Sequence, residues 1–167
     1  MKKASEGSMI KPISRDDLLI CIEILHRGYE TVAIEFALTE ENSPDRGRAS
    51  LPLEKLVAEF NAGAFMFGYY YNDCMVGYLG MKKLENGDIG LDDIVVLPEY
   101  RKNGYGTELL NFCKQTAKDL GAKKVRLGMI DDNKRLRKWY EENGFATIRY
   151  IQYDNAPYTV GKMECQV

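Results

Sequence analysis

The chain contains a single histidine and four cysteines in 167 residues, and neither residue type is clustered. Cys21, Cys74, Cys113 and Cys165 are widely spaced, and no C-x-x-C pair is present. Zinc and redox sites usually need closely spaced cysteine or histidine side chains, so this pattern argues against both. We therefore expect four free thiols in a reducing cytoplasm, and no bound metal.

Long apolar runs and a strong excess of one charge are also missing. No apolar run approaches the roughly 20 residues that cross a membrane, and no signal peptide is recognisable, so no membrane association is expected. The chain carries 23 basic and 25 acidic residues, and its net charge of −2 argues against a general nucleic-acid binder. This balance leaves room for a neutral or cationic small-molecule substrate.

The rest of the composition is that of an ordinary globular domain, with 45% apolar and 29% charged residues. A chain of 167 residues suits one domain with a sizeable core. Residues 1–8 are polar, and Met9 fits as the natural start. We interpret residues 1–8 as a tail or an expression remnant, and residues 9–167 as a single domain.

Hydrophobic periodicity and turn residues predict seven strands and four helices in the order β-α-α-β-β-β-α-β-α-β-β. Hairpins in the middle of the chain, with a signal at Asn86-Gly87, and crossovers later imply a mixed sheet. Helices are expected on both faces of that sheet. The strands are predicted at 10–13, 64–71, 74–84, 89–97, 124–130, 145–153 and 158–165, and the helices from Ser14 onward and at 51–61, 107–120 and 133–143.

The most informative motif is a basic, glycine-rich turn from Arg101 to Gly106, with the sequence RKNGYG. It follows the apolar run from Ile94 to Leu97 and leads into an amphipathic segment, so the predicted order is strand, turn, helix. Such a turn directs backbone N–H groups and a helix N-terminus at one point, where a phosphate or pyrophosphate can bind. The glycines permit close approach, and Arg101 and Lys102 add positive charge.

Other phosphate-binding motifs fit this turn less well. A Walker loop would end in Gly-Lys-Ser or Gly-Lys-Thr, whereas Gly106 is followed by Thr107 and Glu108. A dinucleotide fingerprint needs three glycines near the start of a βαβ unit, and this turn has two glycines deep in the chain. An ordinary strand–turn–helix junction stays as the alternative.

A second motif combines Asn133, Leu136 and Tyr140 with a following Gly144-Phe145. The first three positions are three and four residues apart, so they share one face of a helix. In isolation, Asn133 fits a simple helix cap and Tyr140 fits a core aromatic residue.

Together, the two motifs resemble those of the GNAT acyltransferase superfamily. The string DDIVVLPEYRxxGxG, from Asp92 to Gly106, resembles its acetyl-CoA motif, and the element order matches its fold from Ile10 to Cys165. The resemblance implies an α/β (α+β) GNAT fold, with a mixed, mostly antiparallel central sheet flanked by helices on both faces. It also allows a homodimer.

The same resemblance implies an acetyl-CoA-dependent N-acetyltransferase. Its acceptor would be a primary amine, expected on a small molecule, that attacks the thioester directly in a ternary complex. Two alternatives stay open. One is an enzyme that acetylates protein or peptide amino groups, and the other is a noncatalytic acyl-CoA-binding or regulatory domain.

The resemblance also assigns contacts to the cosubstrate. The backbone of the strand would hydrogen-bond the pantetheine arm and the thioester carbonyl, and the glycine-rich turn would hold the pyrophosphate. Asn133 would contact the arm, and Tyr140 would lie near the sulfur. The expected cofactor-binding residues are Ile94, Val95, Val96, Arg101, Lys102, Asn103, Gly104, Tyr105, Gly106, Thr107, Asn133, Leu136 and Tyr140.

Asp92 and Tyr140 are the expected catalytic residues. The resemblance implies an acidic residue on the strand that removes the amine proton, often through water, and Asp92 best matches it, with Asp93 or water alone left open. Strict alternation would place Asp92 on the face of Ile94 and Val96, and Asp93 on the other face. A tyrosine with a pKa of ~10 is a weaker acid than a thiol at ~8.5, so a hydrogen bond from Tyr140 to the departing thiolate is expected.

The acceptor site would be walled by the region 18–61 and by the last hairpin at 150–158, as the resemblance implies. Acidic and aromatic side chains in these regions suit a cationic amine such as a polyamine, an amino sugar or an amino acid. These side chains are Glu30, Glu35, Glu40, Glu41, Tyr150, Tyr153, Asp154 and Tyr158.

Overall fold

The computed structural model describes residues 7–167, so most of the predicted tail lies outside the described residues. In the described part, seven strands and four α-helices follow one another in the predicted order. They are β1 (Ser8–Pro12), α1 (Leu18–Glu35), α2 (Leu53–Asn61), β2 (Phe65–Tyr71), β3 (Cys74–Lys83), β4 (Ile89–Val96), α3 (Tyr105–Asp119), β5 (Lys124–Ile130), α4 (Lys134–Glu142), β6 (Ala146–Gln152) and β7 (Thr159–Gln166).

The strands form one seven-stranded sheet in the order β1-β2-β3-β4-β5-β7-β6. Every neighbouring pair is antiparallel except β4 and β5, which are parallel. The predicted mixed, mostly antiparallel sheet is therefore confirmed. The parallel pair lies near the middle of the sheet, and it requires the α3 crossover because a tight turn cannot join parallel strands.

Helices cover both faces of the sheet. In α1, Gly28 packs so closely on Val95 of β4 that a Cβ at this position would overlap the valine. Val95 pairs with Tyr78 of β3, and the preceding residue, Gly77, faces the other side. There a Cβ on Gly77 would lie 3.3 Å from Leu109 of α3. The two helices thus pack on opposite faces, and the core lies between them.

Two element boundaries differ from the predicted ones in ways that matter for function. β1 begins at Ser8, which lies opposite Tyr71, so this residue of the predicted tail belongs to the sheet. α3 begins at Tyr105, two residues before the predicted start, because Gly104 adopts a left-handed conformation (φ 84°) and caps it. Gly106 therefore lies in the first turn of the helix.

All four cysteines are free thiols, as expected, and Cys113 is fully buried in the core. Within residues 7–167, no group of three or more His, Cys, Asp or Glu side chains could hold a metal ion. The helices formed by residues 7–167 lack the length and hydrophobicity of a membrane-spanning segment.

Candidate active site

A gap between β4 and β5 is the central feature of the site. The two strands pair only where they begin, with Ile89 opposite Val125 and Gly90 opposite Arg126. On its other side, β4 stays paired with β3 as far as Val96. Beyond Gly90, no described strand pairs with the β5-facing edge of β4, so the backbone groups of this edge have no partner in the sheet, although the carbonyl oxygen of Val96 accepts from Arg101 Nε. An extended ligand that carries amide groups can bind such an edge as an added strand.

The gap opens into a cleft of about 760 Å³. Its walls come from α1, the loop before α2, β4, β5, α4 and the β6–β7 hairpin. The predicted site residues that line the cleft are Asp92, Ile94, Val95, Val96, Arg101, Asn133, Leu136 and Tyr140. The fold thus brings the β4 motif and the α4 motif, which are about 40 residues apart in the chain, to one place.

The glycine-rich turn has the geometry of an anion site. Lys102 and Gly104 both have positive φ angles (64° and 84°), and Asn103 Nδ2 donates to the carbonyl oxygens of Tyr100 (3.0 Å) and Arg101 (3.3 Å). The first hydrogen bond of α3 runs from Glu108 N–H to Gly104 O at 3.0 Å. The N–H groups of residues 105–107 therefore have no acceptor within the helix and are available to an anion.

The Arg101 side chain is engaged away from this turn. Its guanidinium donates to Val96 O (3.0 Å), to Gly28 O (2.9 Å) and to Thr31 Oγ1 (3.0 Å). It thereby ties the end of β4 to α1, a positioning role that the motif did not indicate. Direct contact between Arg101 and a phosphate stays a prediction.

Tyr105 contributes a core side chain rather than a ligand-binding one. Its ring is buried and stacks on Tyr69, with 4.7 Å between ring centroids, and it lies 5.7 Å from the ring of Tyr71. Only its backbone N–H, at the start of α3, remains available for an anion.

Asn133 is a helix cap and Tyr140 is a core aromatic residue, as each fits in isolation, and both residues also line the cleft. Asn133 caps the helix, because its Oδ1 accepts from Leu136 N–H at 3.2 Å. Tyr140 is buried against Trp139 and Phe145, at ring-centroid distances of 5.0 and 5.4 Å. Burial, with smaller effects from Cys113 and Asp93, raises the pKa of the Tyr140 phenol well above its usual range. Tyr140 therefore stays protonated at neutral pH and can act as a hydrogen-bond donor.

A β-bulge changes where the two aspartates point. Gly80 of β3 is opposite Asp93 and Met81 is opposite Leu91, so Asp92 is the extra residue. Asp92 pairs with Lys82 at 3.3 Å, and Asp93 Oδ2 lies 3.2 Å from the place of a Cβ on Gly80. Because Gly80 and Lys82 share a face of β3, the two aspartates also share a face. The prediction that they face opposite ways was wrong, because the bulge interrupts the alternation.

Asp93 is the centre of a buried polar network that no sequence motif indicated. Its side chain is 1% exposed, and it accepts hydrogen bonds from Tyr29 Oη (2.9 Å) and from Arg48 Nη2 (2.6 Å). Arg48 also makes a bidentate pair with Glu59, at 3.0 and 3.1 Å. Burial raises the pKa of Asp93 to about 6, while Arg48 and Tyr29 act in the opposite direction. Asp93 is therefore mostly ionised at neutral pH.

Asp92 differs from its neighbour because it is accessible. Its side chain is 34% exposed and lines the cleft. Burial raises its pKa above the usual range, and the nearby Lys82 ammonium partly opposes that shift. A carboxylate of this kind, held on a rigid strand and open to a cleft, has the accessibility that proton transfer requires.

The acceptor side of the cleft is less acidic than predicted. Of the predicted side chains, Glu35, Tyr153 and Tyr158 line the cleft, and Glu35 is paired with Arg135 at 3.3 Å. Glu30 is occupied by Arg46 in a bidentate pair, with both distances 2.9 Å. The cleft is lined by two carboxylates and by four cationic side chains. The carboxylates are those of Glu35 and Asp92, and the cations are Arg48, Arg101, Arg135 and Lys162. Arg48 and Lys162 lie far from the recognised motifs, so no sequence signal marked them.

Comparison with known proteins identifies the class. Residues 29–145 match the family model described as "Acetyltransferase (GNAT) family". The thialysine N-epsilon-acetyltransferase of Bos taurus is 31% identical over 121 residues, which cover 70% of this chain and 69% of that protein. The protein belongs to the GNAT acetyltransferase family and is an acetyl-CoA-dependent N-acetyltransferase. The protein is therefore an enzyme, and the alternative of a noncatalytic acyl-CoA-binding domain is wrong.

Solved structures confirm the fold. The ribosomal-protein-S18-alanine N-acetyltransferase from Escherichia coli superimposes with a TM-score of 0.76 at 16% identity, covering 96% of this chain and 94% of that one. The PaiA N-acetyltransferase from Thermoplasma acidophilum, solved in complex with coenzyme A, has a TM-score of 0.73 at 20% identity, covering 96% and 99%. At these identities, the likeness establishes the GNAT fold and leaves the acceptor open.

Proposed function

We propose that the protein transfers an acetyl group from acetyl-CoA to the primary amine of a small molecule, by direct attack in a ternary complex. One observation carries this proposal. The gap between β4 and β5 lies beside Asp92 and Tyr140, and both side chains line the same cleft. An accessible carboxylate and a protonated phenol are the two groups that amine deprotonation and thiolate departure require.

Acetyl-CoA fits the residues present. Its pantetheine amides would pair with the open edge of β4, where Ile94, Val95 and Val96 border the cleft. Its pyrophosphate would meet the free N–H groups of residues 105–107 at the start of α3. The related Thermoplasma acidophilum structure was solved in complex with coenzyme A, which supports acetyl-CoA as the cosubstrate. When bound, acetyl-CoA supplies the activated acyl group, and the protein supplies position and proton transfer.

Asp92 is the proposed base, acting on the acceptor amine directly or through water. Asp93 is unsuitable as a direct base, because Tyr29 and Arg48 occupy its oxygens and its side chain is 1% exposed. We assign Asp93 a positioning role, in which it holds the loop that carries Arg48 against β4. Tyr140 is the proposed donor to the departing thiolate, since burial keeps its phenol protonated.

Direct attack is supported by the side chains that border the cleft. Among residues 7–167, none of the lining residues is a cysteine, serine or histidine. Cys21 and Cys113 are buried elsewhere, and burial raises the pKa of each thiol to about 12. A thiol with such a pKa is almost entirely neutral at physiological pH and is a poor nucleophile. We therefore propose no acetylated enzyme intermediate.

A peptide or protein amino group is the second candidate acceptor. A further cavity of about 430 Å³ continues from the cleft, and Arg48, Tyr153 and Tyr158 line both spaces. This extension could hold the rest of a longer acceptor. The relatives include both kinds of enzyme, since one is named for thialysine and another for alanine of ribosomal protein S18.

Incubation with acetyl-CoA and a panel of amines tests the proposal. The panel should contain polyamines, amino sugars, free amino acids and short peptides, with products identified by mass spectrometry. An acetylated small molecule supports the proposal, and acetylation confined to peptides favours the second candidate. The proposal fails if no amine is acetylated while acetyl-CoA binding is measurable by calorimetry. The cytoplasmic location and the homodimer stay predictions.

A further inference from the structure

Lys162 of β7 has an arrangement that the proposed reaction does not explain. It lies opposite Gly128 of β5 in the antiparallel pair. A Cβ on Gly128 would lie 3.2 Å from Lys162 Nζ and 3.5 Å from its Cδ. The lysine side chain therefore lies across β5, in the space that a larger residue at position 128 would occupy. This direction brings the ammonium towards β4 and the gap.

Asp92 lies on the other side of the gap from Gly128 and Lys162. The last paired residues of the two strands are Gly90 and Arg126, and Asp92 and Gly128 each follow two residues later, where β4 and β5 separate. Asp92, Gly128 and Lys162 all line the cleft. Adjacent strands lie about 4.8 Å apart, so the aspartate and lysine backbones are separated by roughly 10 Å plus the widening of the gap.

Lys162 also differs from the other cations of the cleft in its partners. Arg48 is paired with Asp93, and Arg135 is paired with Glu35. Arg101 donates to three oxygen acceptors. Within residues 7–167, Lys162 has neither an ion pair nor a side-chain hydrogen bond, although it is only partly exposed. A cation that borders a substrate cleft without a counter-ion repels a second cation and attracts an anion.

We propose that Lys162 binds a carboxylate of the acceptor, and that the acceptor is a compact amino carboxylate. Its amine lies towards Asp92 and β4, and its carboxylate lies over Gly128 against the lysine ammonium. This inference rests on the proposed function, and it narrows the amine to one that also carries an anion. Polyamines, which carry only positive charge, are poor acceptors on this basis.

Matched acceptor pairs test the inference. 5-Aminopentanoate and 5-aminopentanamide have nearly the same size and amine basicity, and they differ in the charge of the far end. L-Lysine with L-lysinamide and with 1,5-diaminopentane gives a second series. The kcat/KM for each acceptor is measured on the wild-type protein and on Lys162→Met, Lys162→Glu and Arg149→Gln. Arg149 is the matched control, because it lies opposite Lys162 on β6 and is exposed outside the cleft.

The wild-type protein should prefer the carboxylate of each pair by about tenfold or more, since bonds to charged groups are the stronger hydrogen bonds. Lys162→Met should remove that preference by raising KM for the carboxylates, and Arg149→Gln should keep it. Lys162→Glu should reverse the preference towards 1,5-diaminopentane, a gain that a misfolded variant cannot show.

Two results overturn the inference and are distinguishable from each other. If the wild-type protein acetylates amides or diamines as well as it acetylates carboxylates, or if Lys162→Met keeps the preference, the carboxylate site is wrong while the proposed function stands. If acetyl-CoA binds and no amine of any charge is acetylated, the proposed function fails and the inference fails with it.

Discussion

Arg48 and Asp93 form an ion pair, with 2.6 Å between Nε and Oδ1, although they are 45 positions apart in the chain. The pair fastens the loop before α2 to β4, at the point where the bulge places Asp92 against the cleft. A buried charge thus positions one wall of the acceptor site. This wall depends on a contact between distant segments, and not on either recognised motif.

The first prediction concerns the stability that Asp93 contributes as the pH changes. Its folded-state pKa of about 6 exceeds the ordinary value of 3.8, so the folded protein binds its proton more tightly than the unfolded chain does. This contribution is fully present below about pH 4 and is lost as the pH rises through about 6. The asparagine in Asp93→Asn cannot ionise. The free energy of unfolding of this variant should therefore rise relative to that of the wild-type protein as the pH increases from about 4 to about 6.

Urea unfolding of both proteins between pH 4 and pH 7 measures that difference. Asp88→Asn is the control, because Arg126 lowers the pKa of Asp88, so the stabilising contribution of this carboxylate is fully present above its ordinary pKa and is lost only at lower pH. If the free energies of unfolding of the wild-type protein and Asp93→Asn change in parallel with pH, the pKa of the Asp93 carboxyl is not raised in the folded protein.

Much of the fold could be predicted from sequence, and the errors have identifiable physical causes. The order of strands and helices follows from local periodicity, and the structure confirms it. The direction of Asp92 could not be predicted, because alternation assumes a regular strand and the bulge inserts one residue. The bulge depends on pairing with β3, which a local pattern does not contain.

The site residues that belong to a recognised motif were predictable from the sequence. The segment 92–96, Asn133 and Tyr140 do line one cleft. Tyr29, Arg48 and Lys162 were missed because each is an ordinary residue in its own segment. They become part of the site only through contacts across the fold, such as the hydrogen bond from Tyr29 to Asp93 at 2.9 Å. Local sequence does not encode those contacts.

The second prediction concerns the pH dependence of catalysis. Lys82 lowers the pKa of Asp92, so Lys82→Met should raise that pKa and move the acidic limb of kcat/KM to higher pH. Asp92→Asn should remove this ionisation and lower kcat/KM by about 10²-fold. Protonation of the acceptor amine also affects the pH dependence of kcat/KM, but this effect is the same for every variant when all are measured with the same acceptor.

Lys83→Met is the matched control for Lys82→Met. Lys83 is the next residue of β3 and points to the opposite face, away from Asp92. The acidic limb of the kcat/KM profile of Lys83→Met should coincide with that of the wild-type protein. An unmoved limb in Lys82→Met, or full activity in Asp92→Asn, would exclude Asp92 as the base.

The third prediction concerns Tyr140. Tyr140→Phe removes the phenol and keeps the ring that packs on Trp139 and Phe145. Loss of a hydrogen bond to a developing charge should lower kcat roughly tenfold to hundredfold, while acetyl-CoA affinity stays within a few fold. Calorimetry and steady-state kinetics measure the two quantities. Tyr150→Phe, at an exposed position outside the cleft, is the control, and unchanged turnover in Tyr140→Phe would remove the role.

The fourth prediction concerns the glycine-rich turn. Gly104→Val places a β-branched side chain at a φ of 84°, so the turn must change its shape and the anion site should be lost. Gly121→Val is a matched control, because Gly121 follows the other end of α3, has a φ of 81° and also has no atom within 4 Å of its Cβ position.

Both of these variants should lose similar stability, but only Gly104→Val should lose acetyl-CoA binding, by at least about tenfold. Gly106→Val should also weaken binding, because its side chain would border the pyrophosphate in the first turn of α3. Intact binding by calorimetry in Gly104→Val would rule out the turn as the phosphate site.

The proposed function depends on direct attack of an amine on acetyl-CoA within the gap between β4 and β5. Initial velocities measured while acetyl-CoA and the best acceptor are both varied are the decisive measurement. Direct transfer should give intersecting double-reciprocal lines and an enzyme whose intact mass is unchanged after incubation with acetyl-CoA alone. Parallel lines, together with a stably acetylated enzyme, would exclude direct transfer.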